Sequence, residues 1–176
     1  VGGGSPRVPS FWAEGAFRLF GLPCGVVVRP MIFDGRCIVP VDVLIGLAST
    51  GLHSNGYSLA RLVLLDQAKL SVTSRLPEFD QPLGDVLLTP TRIYAKQILT
   101  LIQECPIKGI AHITGGGITE NLPQVFPSGV RAQVRRRAWS VPPIFQWLAR
   151  LGQVDRAESE RLFTSGVGLA LGLPAS

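Results

Sequence analysis

Charge is scarce in this chain. Of its 176 residues 16% are Asp, Glu, Lys or Arg while 46% are hydrophobic, which supplies one core, or one core with an arm, and favours a single globular domain. The net charge of +5 is a modest excess that suits small anions as readily as nucleic acid, so it names no partner. Cysteine is equally sparse: Cys24, Cys37 and Cys105 are odd in number, widely spaced and without CxxC or neighbouring His pairs. That excludes a disulfide framework and a zinc site and fits reduced thiols in a cytoplasmic protein. No apolar run approaches the roughly 18 to 20 residues that cross a bilayer, and no membrane span is expected. The opening "VGGGSPRVPS" is not a secretory signal and lacks an initiator Met, which suggests a fragment. Internal repeats are absent on inspection.

Several catalytic signatures are missing as well. No G-x-x-x-x-G-K-[ST] run occurs, no G-x-G-x-x-G stands in its dinucleotide context, and no G-x-S-x-G elbow is found. The carboxylates Asp34, Asp42, Asp85, Glu120 and Asp155 are scattered as turn, cap and surface residues, Asp42 leading a strand. A hydrolase triad is therefore unsupported.

What is present is an interleaving of short strands and helices. "CGVVV" and "DVLIGLA" are β-branched runs suited to buried strands, with a DG turn signal in "FDGRCIV" between them. "NGYSLARLVLLDQAK" places Leu59, Leu62 and Val63 at helical spacing, with Ser54 or Asn55 available as cap. In "QPLGDVLLTPTRIYAKQILTLIQE" Thr89 can cap, Pro90 suits a first turn, and Tyr94, Ile98, Leu101 and Ile102 share a face. "IKGIAHIT" and "GVRAQVRR" read as strands. "SVPPIFQWLARLG" reads as a helix burying Ile144, Trp147, Leu148 and Leu151, with Gly152 past its end. "DRAESERLF" is a short helix capped by Asp155 with Glu158 three residues on, and "GVGLALGL" a last strand. The irregular order predicts an α+β fold, a mixed sheet with helices packed on it in a three-layer α/β/α arrangement, over 25–176 after a remnant segment over 1–24.

Two strand-to-helix junctions stand out, "LASTGLHSNGYS" and "HITGGGITENLP", and the opening "VGGGSP" shares their glycine-rich character. Glycines let backbone amides approach an anion, and a helix start adds unsatisfied N–H donors; phosphate suits such a loop. A tight structural turn accounts for the same glycines. His53 and His112, the only histidines, sit beside these loops, where an imidazole serves as acid, base or phosphate partner, or as a packed structural residue. The cluster Arg135, Arg136 and Arg137 reads as a solvated strand end, with a nucleic-acid surface as the distant alternative.

"GDVLLTPTRIYAK", "GIAHITGGGITENLPQVFP" and "VLIGLASTGLHSNGYSLARLVL" together resemble the C-terminal half of the phosphoribosylformylglycinamidine cyclo-ligase (aminoimidazole ribonucleotide synthetase) family. The resemblance implies activation of the formyl amide oxygen of formylglycinamidine ribonucleotide by ATP, then ring closure with release of ADP and phosphate. It implies ATP and Mg2+ as cofactors, with most of their site in an N-terminal domain, and a homodimer for the full-length family. It aligns Gly51, His53, Ser54, Asn55 and Gly56 with the family's histidine loop and Thr114, Gly115, Gly116, Gly117 and Asn121 with its glycine loop. His53 is then the leading catalytic or phosphate-contacting residue, His112 a further candidate, and no metal ligand is assigned. Two segments depart from the family: "GGGSPRVP" where it has "GGETAEMP", and "FTSGVG" where it has "FNMGVG". Inactivity without the N-terminal domain is the expectation, and a noncatalytic phosphate- or nucleotide-binding relative is the alternative.

Overall fold

The computed structural model describes residues 24–175. The chain divides into two units, Val1–Ile32 and Phe33–Ser176. In the described part of the first there is only a 3-10 turn, Arg29–Met31, with Pro30 early in it. The strand expected at 24–28 is not formed: Val26, Val27 and Val28 are all exposed, because β-branched residues make a strand only when a neighbour completes the ladder. The opening segments "VGGGSP" and "GGGSPRVP" lie outside the described residues.

The second unit is built on a three-stranded sheet: β1 (Val43–Ala48), β2 (Gly109–His112) and β3 (Val167–Leu173), in the order β1-β3-β2. β3 runs antiparallel to both neighbours, in a register that pairs Leu169 with Leu47 on one side and His112 on the other. The α+β class holds, while the expected mixed sheet has no parallel pair among the described residues. The reason is topological: β1 and β2 run the same way, but the last strand is inserted between them. The turn before β1 is pinned by Asp42, whose carboxylate accepts from the Val39 amide at 2.8 Å and from Lys108 Nζ at 2.6 Å. The Lys108 ammonium and then that amide hold the carboxyl below the usual carboxylate range.

Alternation on β3 assigns its two faces. Leu169 and Leu171 pack with Tyr94, Ile98, Leu101 and Ile102 of the segment leading into and through helix α3 (Ala95–Glu104), which are the four residues the helical spacing places on one face. Ala111, Val167 and Ala170 face the other way, against Leu122, Ile118 and Trp139, beside the short helix α4 (Gly117–Asn121). A separate core joins helix α1 (Tyr57–Arg61) and its π-helical continuation (Leu62–Gln67) to α2 (Leu83–Leu87) and α5 (Pro143–Leu151). There Ala60, Val63 and Leu64 meet Leu83, Ile144, Phe145, Leu148 and Phe163. Phe163 and Phe145 stack tilted at 5.6 Å. Helix α6 (Arg156–Leu162) starts as the sequence predicts, the Asp155 carboxylate accepting from the Glu158 amide at 2.8 Å.

Three local expectations are corrected. Thr89 and Pro90 do not start a helix: Thr89 Oγ1 donates to Asp85 O and closes a separate short helix, α2, and the expected second helix begins only at Ala95. Neither Ser54 nor Asn55 caps α1; Gly56, at φ +72°, is its N-cap, and Asn55 Nδ2 turns back onto His53 O at 3.0 Å. The segment 129–136 forms no strand among the described residues, and its Val134 is exposed. Its alternating pattern finds no partner, since β3 fills the pairing edges of both β1 and β2 that face inward.

Candidate functional site

The antiparallel register decides where the chemistry collects. β1 and β2 both finish at the end of the sheet where β3 begins, so loop 49–56, loop 113–117 and the "FTSGVG" segment are neighbours. β1 and β2 are two strand spacings apart, about 10 Å, with β3 between them. No hydrogen bond joins the two loops directly among the described residues. The β3 lead-in bridges them: Thr164, fully buried, donates from Oγ1 to Gly51 O at 3.2 Å and lies 3.2 Å from Ser49 Oγ, while Ile113 N donates to Gly168 O at 3.0 Å.

Loop 49–56 is folded around an imidazole. His53 and Ser54 both adopt left-handed backbone, at φ +53° and +64°, an arrangement that non-glycine residues hold only when their surroundings fix it. Here the His53 ring is only 5% exposed, and its Nε2 accepts from the Thr50 amide at 2.9 Å and from the Arg92 amide at 3.3 Å. Two N–H donors on Nε2 require its lone pair, which places the ring proton on Nδ1. Nδ1 itself has no hydrogen-bond partner and lies against Gly168. A β-carbon at Gly168 would come within 2.7 Å of the imidazole Cε1 and 2.2 Å of Tyr94 Oη, so only glycine fits under the ring. Gly168 is the extra residue of a bulge, opposite the register shift between Leu47 and Ala48.

Burial first, and then the charges of His112 and Arg92, push the His53 imidazole below its ordinary pKa. The folded protein therefore takes up this proton less readily than the unfolded chain, and stability falls as pH drops through and below the ordinary histidine value of about 6.5. Asp42 acts in the same direction at more acidic pH, its contribution being lost as pH falls through and below the ordinary aspartate value of about 3.9. Urea midpoints at pH 7.5 and 5.5 should show the wild type weaker at the lower pH and His53→Gln with a flatter dependence; equal slopes would remove His53 as the cause.

The glycine loop closes on itself. Gly116 and Gly117 have φ of +97° and +58°, and the Gly117 amide donates to Thr114 O at 2.9 Å. Asn121 Nδ2 donates to Gly117 O at 2.7 Å and to Gly115 O at 3.1 Å, while Thr114 Oγ1 donates to Asn121 Oδ1 at 3.4 Å. Asn121 is thus engaged in holding the loop's carbonyls. Gly117 is buried against Glu160 O, whereas Gly115 is exposed with nothing near its absent side chain. His112, the last residue of β2, is exposed.

The expected residues thus lie at one end of the sheet, in two groups: Gly51, His53, Ser54, Asn55 and Gly56, and Thr114, Gly115, Gly116, Gly117 and Asn121. Sequence reasoning missed a third contributor, the segment 90–94, read as the start of a helix. Thr50 Oγ1 donates to Pro90 O at 2.7 Å, Ser54 Oγ lies 3.1 Å from Thr91 Oγ1, and Ala48 O accepts from both Arg92 Nη1 at 3.0 Å and Tyr94 Oη at 2.8 Å. The signal available was the residue class in "TPTRIY", three hydroxyls and a cation in one short segment. Cavities of about 770 and 670 Å³ lie around Trp139, Leu122 and Val130; no residue of loop 49–56 or loop 113–117 lines them, though Ile118, next to Gly117, lines both.

Among the described residues no group of three His, Cys, Asp or Glu is placed to hold a metal ion. No helix among them is long and apolar enough to cross a membrane.

Comparison with known proteins bears on these loops directly. The family described as "AIR synthase related protein, C-terminal domain" matches residues 40–175. The phosphoribosylformylglycinamidine cyclo-ligase of Myxococcus xanthus is 50% identical over 171 residues, 97% of this chain and 50% of that protein. The protein of the same name in Geotalea daltonii is 46% identical, over 99% of this chain and 50% of its own length. The chloroplastic one of Arabidopsis thaliana is 44% identical, over 97% of this chain and 44% of its own. The chain spans about half the length of the curated relatives it matches. With the α+β fold and both loops inside the matched range, this chain belongs to the AIR synthase related protein, C-terminal domain, family.

Proposed function

We propose that this chain is the substrate-phosphate half of a phosphoribosylformylglycinamidine cyclo-ligase, acting in purine biosynthesis on formylglycinamidine ribonucleotide together with an N-terminal half. One observation carries the reading: the sheet register brings loop 49–56 and loop 113–117 to one end, about two strand spacings apart. In this reading His53 works as a neutral acceptor that shapes loop 49–56, and Gly115, open on its outer side, lets a phosphoryl oxygen approach the backbone. Preorganised donors of this kind stabilise charge on a transferred phosphoryl group without reorganising during the reaction. ATP is the implied source of that group and Mg2+ its implied partner. Among the described residues no cluster of three metal-ligating side chains is present, and no step is assigned to the metal. A homodimer of the complete protein belongs to the same reading.

The test is reconstitution. This chain, joined to or mixed with the N-terminal half of the Myxococcus xanthus relative, should close the imidazole ring and release phosphate in the presence of ATP. Absence of ring closure from a folded complex, while the relative's own two halves are active, would favour a noncatalytic member of the family.

A further inference from the structure

The contact between this site and an anion falls on a residue that neither loop contains. We propose that Arg92 is the anion-contacting, specificity-determining residue of the site, and that His53 is the positioning residue that sets it. The proposal rests on the anion-site reading above and names the side chain that recognises the ligand.

Arg92 is exposed, yet it is tied down at both ends. Its amide donates to His53 Nε2 at 3.3 Å and its Nη1 donates to Ala48 O at 3.0 Å, so backbone and guanidinium are each fixed to the loop end of β1. The segment around it is held by three further contacts, Thr50 Oγ1 to Pro90 O, Ser54 Oγ to Thr91 Oγ1 and Tyr94 Oη to Ala48 O. A guanidinium carries five N–H donors in a rigid plane, and Ala48 O uses one of them. Among the described residues no carboxylate pairs with Arg92, although Arg36, Arg136, Arg161 and Lys108 each have one. Loop 49–56 itself contains no acidic residue. A restrained cation with free donors, beside amide-rich loops and without a counter-charge, suits a phosphate monoester dianion, which a guanidinium binds by two parallel hydrogen bonds.

The arrangement also explains why the buried histidine sits where it does. Its Nε2 is the one acceptor shared by the Thr50 and Arg92 amides, so the ring sets the spacing between the histidine loop and the arginine. Burial first, and then the charges of His112 and Arg92, lower its pKa and favour the neutral, accepting ring near neutral pH.

Titration calorimetry of the full 176-residue chain with inorganic phosphate and with ribose 5-phosphate tests this. Arg92→Gln should raise Kd at least about tenfold for both probes, Arg92→Lys should fall between it and the wild type, and Arg131→Gln should match the wild type. Tighter binding of ribose 5-phosphate identifies a sugar phosphate as the ligand; equal binding identifies the phosphate group alone, and both support Arg92. Far-UV circular dichroism verifies the fold, and Arg92→Lys, which can keep a donor on Ala48 O, serves if the glutamine variant fails to fold. Phosphate should move the Arg92 Nε resonance in the wild type, and His53→Gln should abolish that shift while remaining folded. Unchanged phosphate affinity in Arg92→Gln, with the wild type binding, overturns the role of Arg92 and leaves the loop reading standing. A persistent Nε shift in His53→Gln overturns the positioning role. No binding by the wild type defeats the loop reading and the proposal together.

Discussion

Replacing Gly117 by alanine should cost roughly 3–5 kcal/mol and lower the thermal midpoint by about 10 °C. The added Cβ would lie 1.7 Å from Glu160 O, a backbone atom that cannot rotate away, in a residue already at φ +58°. Relief requires α4 to move off α6, and that movement strains the bonds by which Asn121 closes the loop. Gly115→Ala is the matched comparison: nothing lies within 4 Å of its Cβ position, so stability should change by less than about 0.5 kcal/mol. Differential scanning calorimetry of the two variants separates the roles within one triplet. Equal destabilisation by both would show that crowding at Gly117 is not the cause. If Gly115→Ala also weakens phosphate binding while leaving the midpoint unchanged, the open side of that glycine is where the ligand approaches.

Phe163→Ala should be comparably damaging, at about 3–5 kcal/mol in urea unfolding. The ring is fully buried, packs on Phe145, and belongs to the core that unites α1, α2 and α5. It also underlies Gly56, whose Cβ would come within 2.3 Å of the ring, so the aromatic core and the N-cap of α1 are in direct contact. A double-mutant cycle with Gly56→Ala should therefore be non-additive, because deleting the ring removes the clash while the strain of φ +72° persists. Additivity within about 0.3 kcal/mol would contradict the contact. The coupling has a functional side: the residue next to Phe163 is Thr164, which holds Ser49 and Gly51 O, so loss of core packing is transmitted to loop 49–56.

The departures in "FTSGVG" take on a specific meaning here. Thr164 is fully buried and hydrogen-bonded to Ser49 Oγ and Gly51 O at the start of the histidine loop, and Ser165 O accepts from Trp139 Nε1 at 2.9 Å. The segment remains a polar hinge between loop 49–56 and β3 with a hydroxyl at its centre.

Local pattern determined much of this protein. Helical spacing selected Tyr94, Ile98, Leu101 and Ile102 as one buried face and Ile144 and Leu148 as core, and Asp155 with Glu158 marked the start of α6. These signals are legible because caps and amphipathic faces depend on residues three or four apart. The two glycine-rich loops were legible for a similar reason, being turns between elements whose periods change. Strand pairing was not. Residues 24–28 carry a β-branched run and residues 129–136 an alternation that suit strands, and neither forms one, since a ladder depends on a distant partner whose place in the sheet no local pattern encodes. The insertion of β3 between β1 and β2 was likewise a tertiary decision, and it alone brought the two loops to one end. Tertiary structure also turned the His53 ring inward, moved the start of the expected second helix to Ala95, and set Arg92 on Ala48, 44 residues away in sequence. Residue types and spacing named the residues of the two loops; long-range hydrogen bonds determined that His53 Nε2 joins loop 49–56 to the Arg92 amide, in a segment that local pattern reads as a helix start.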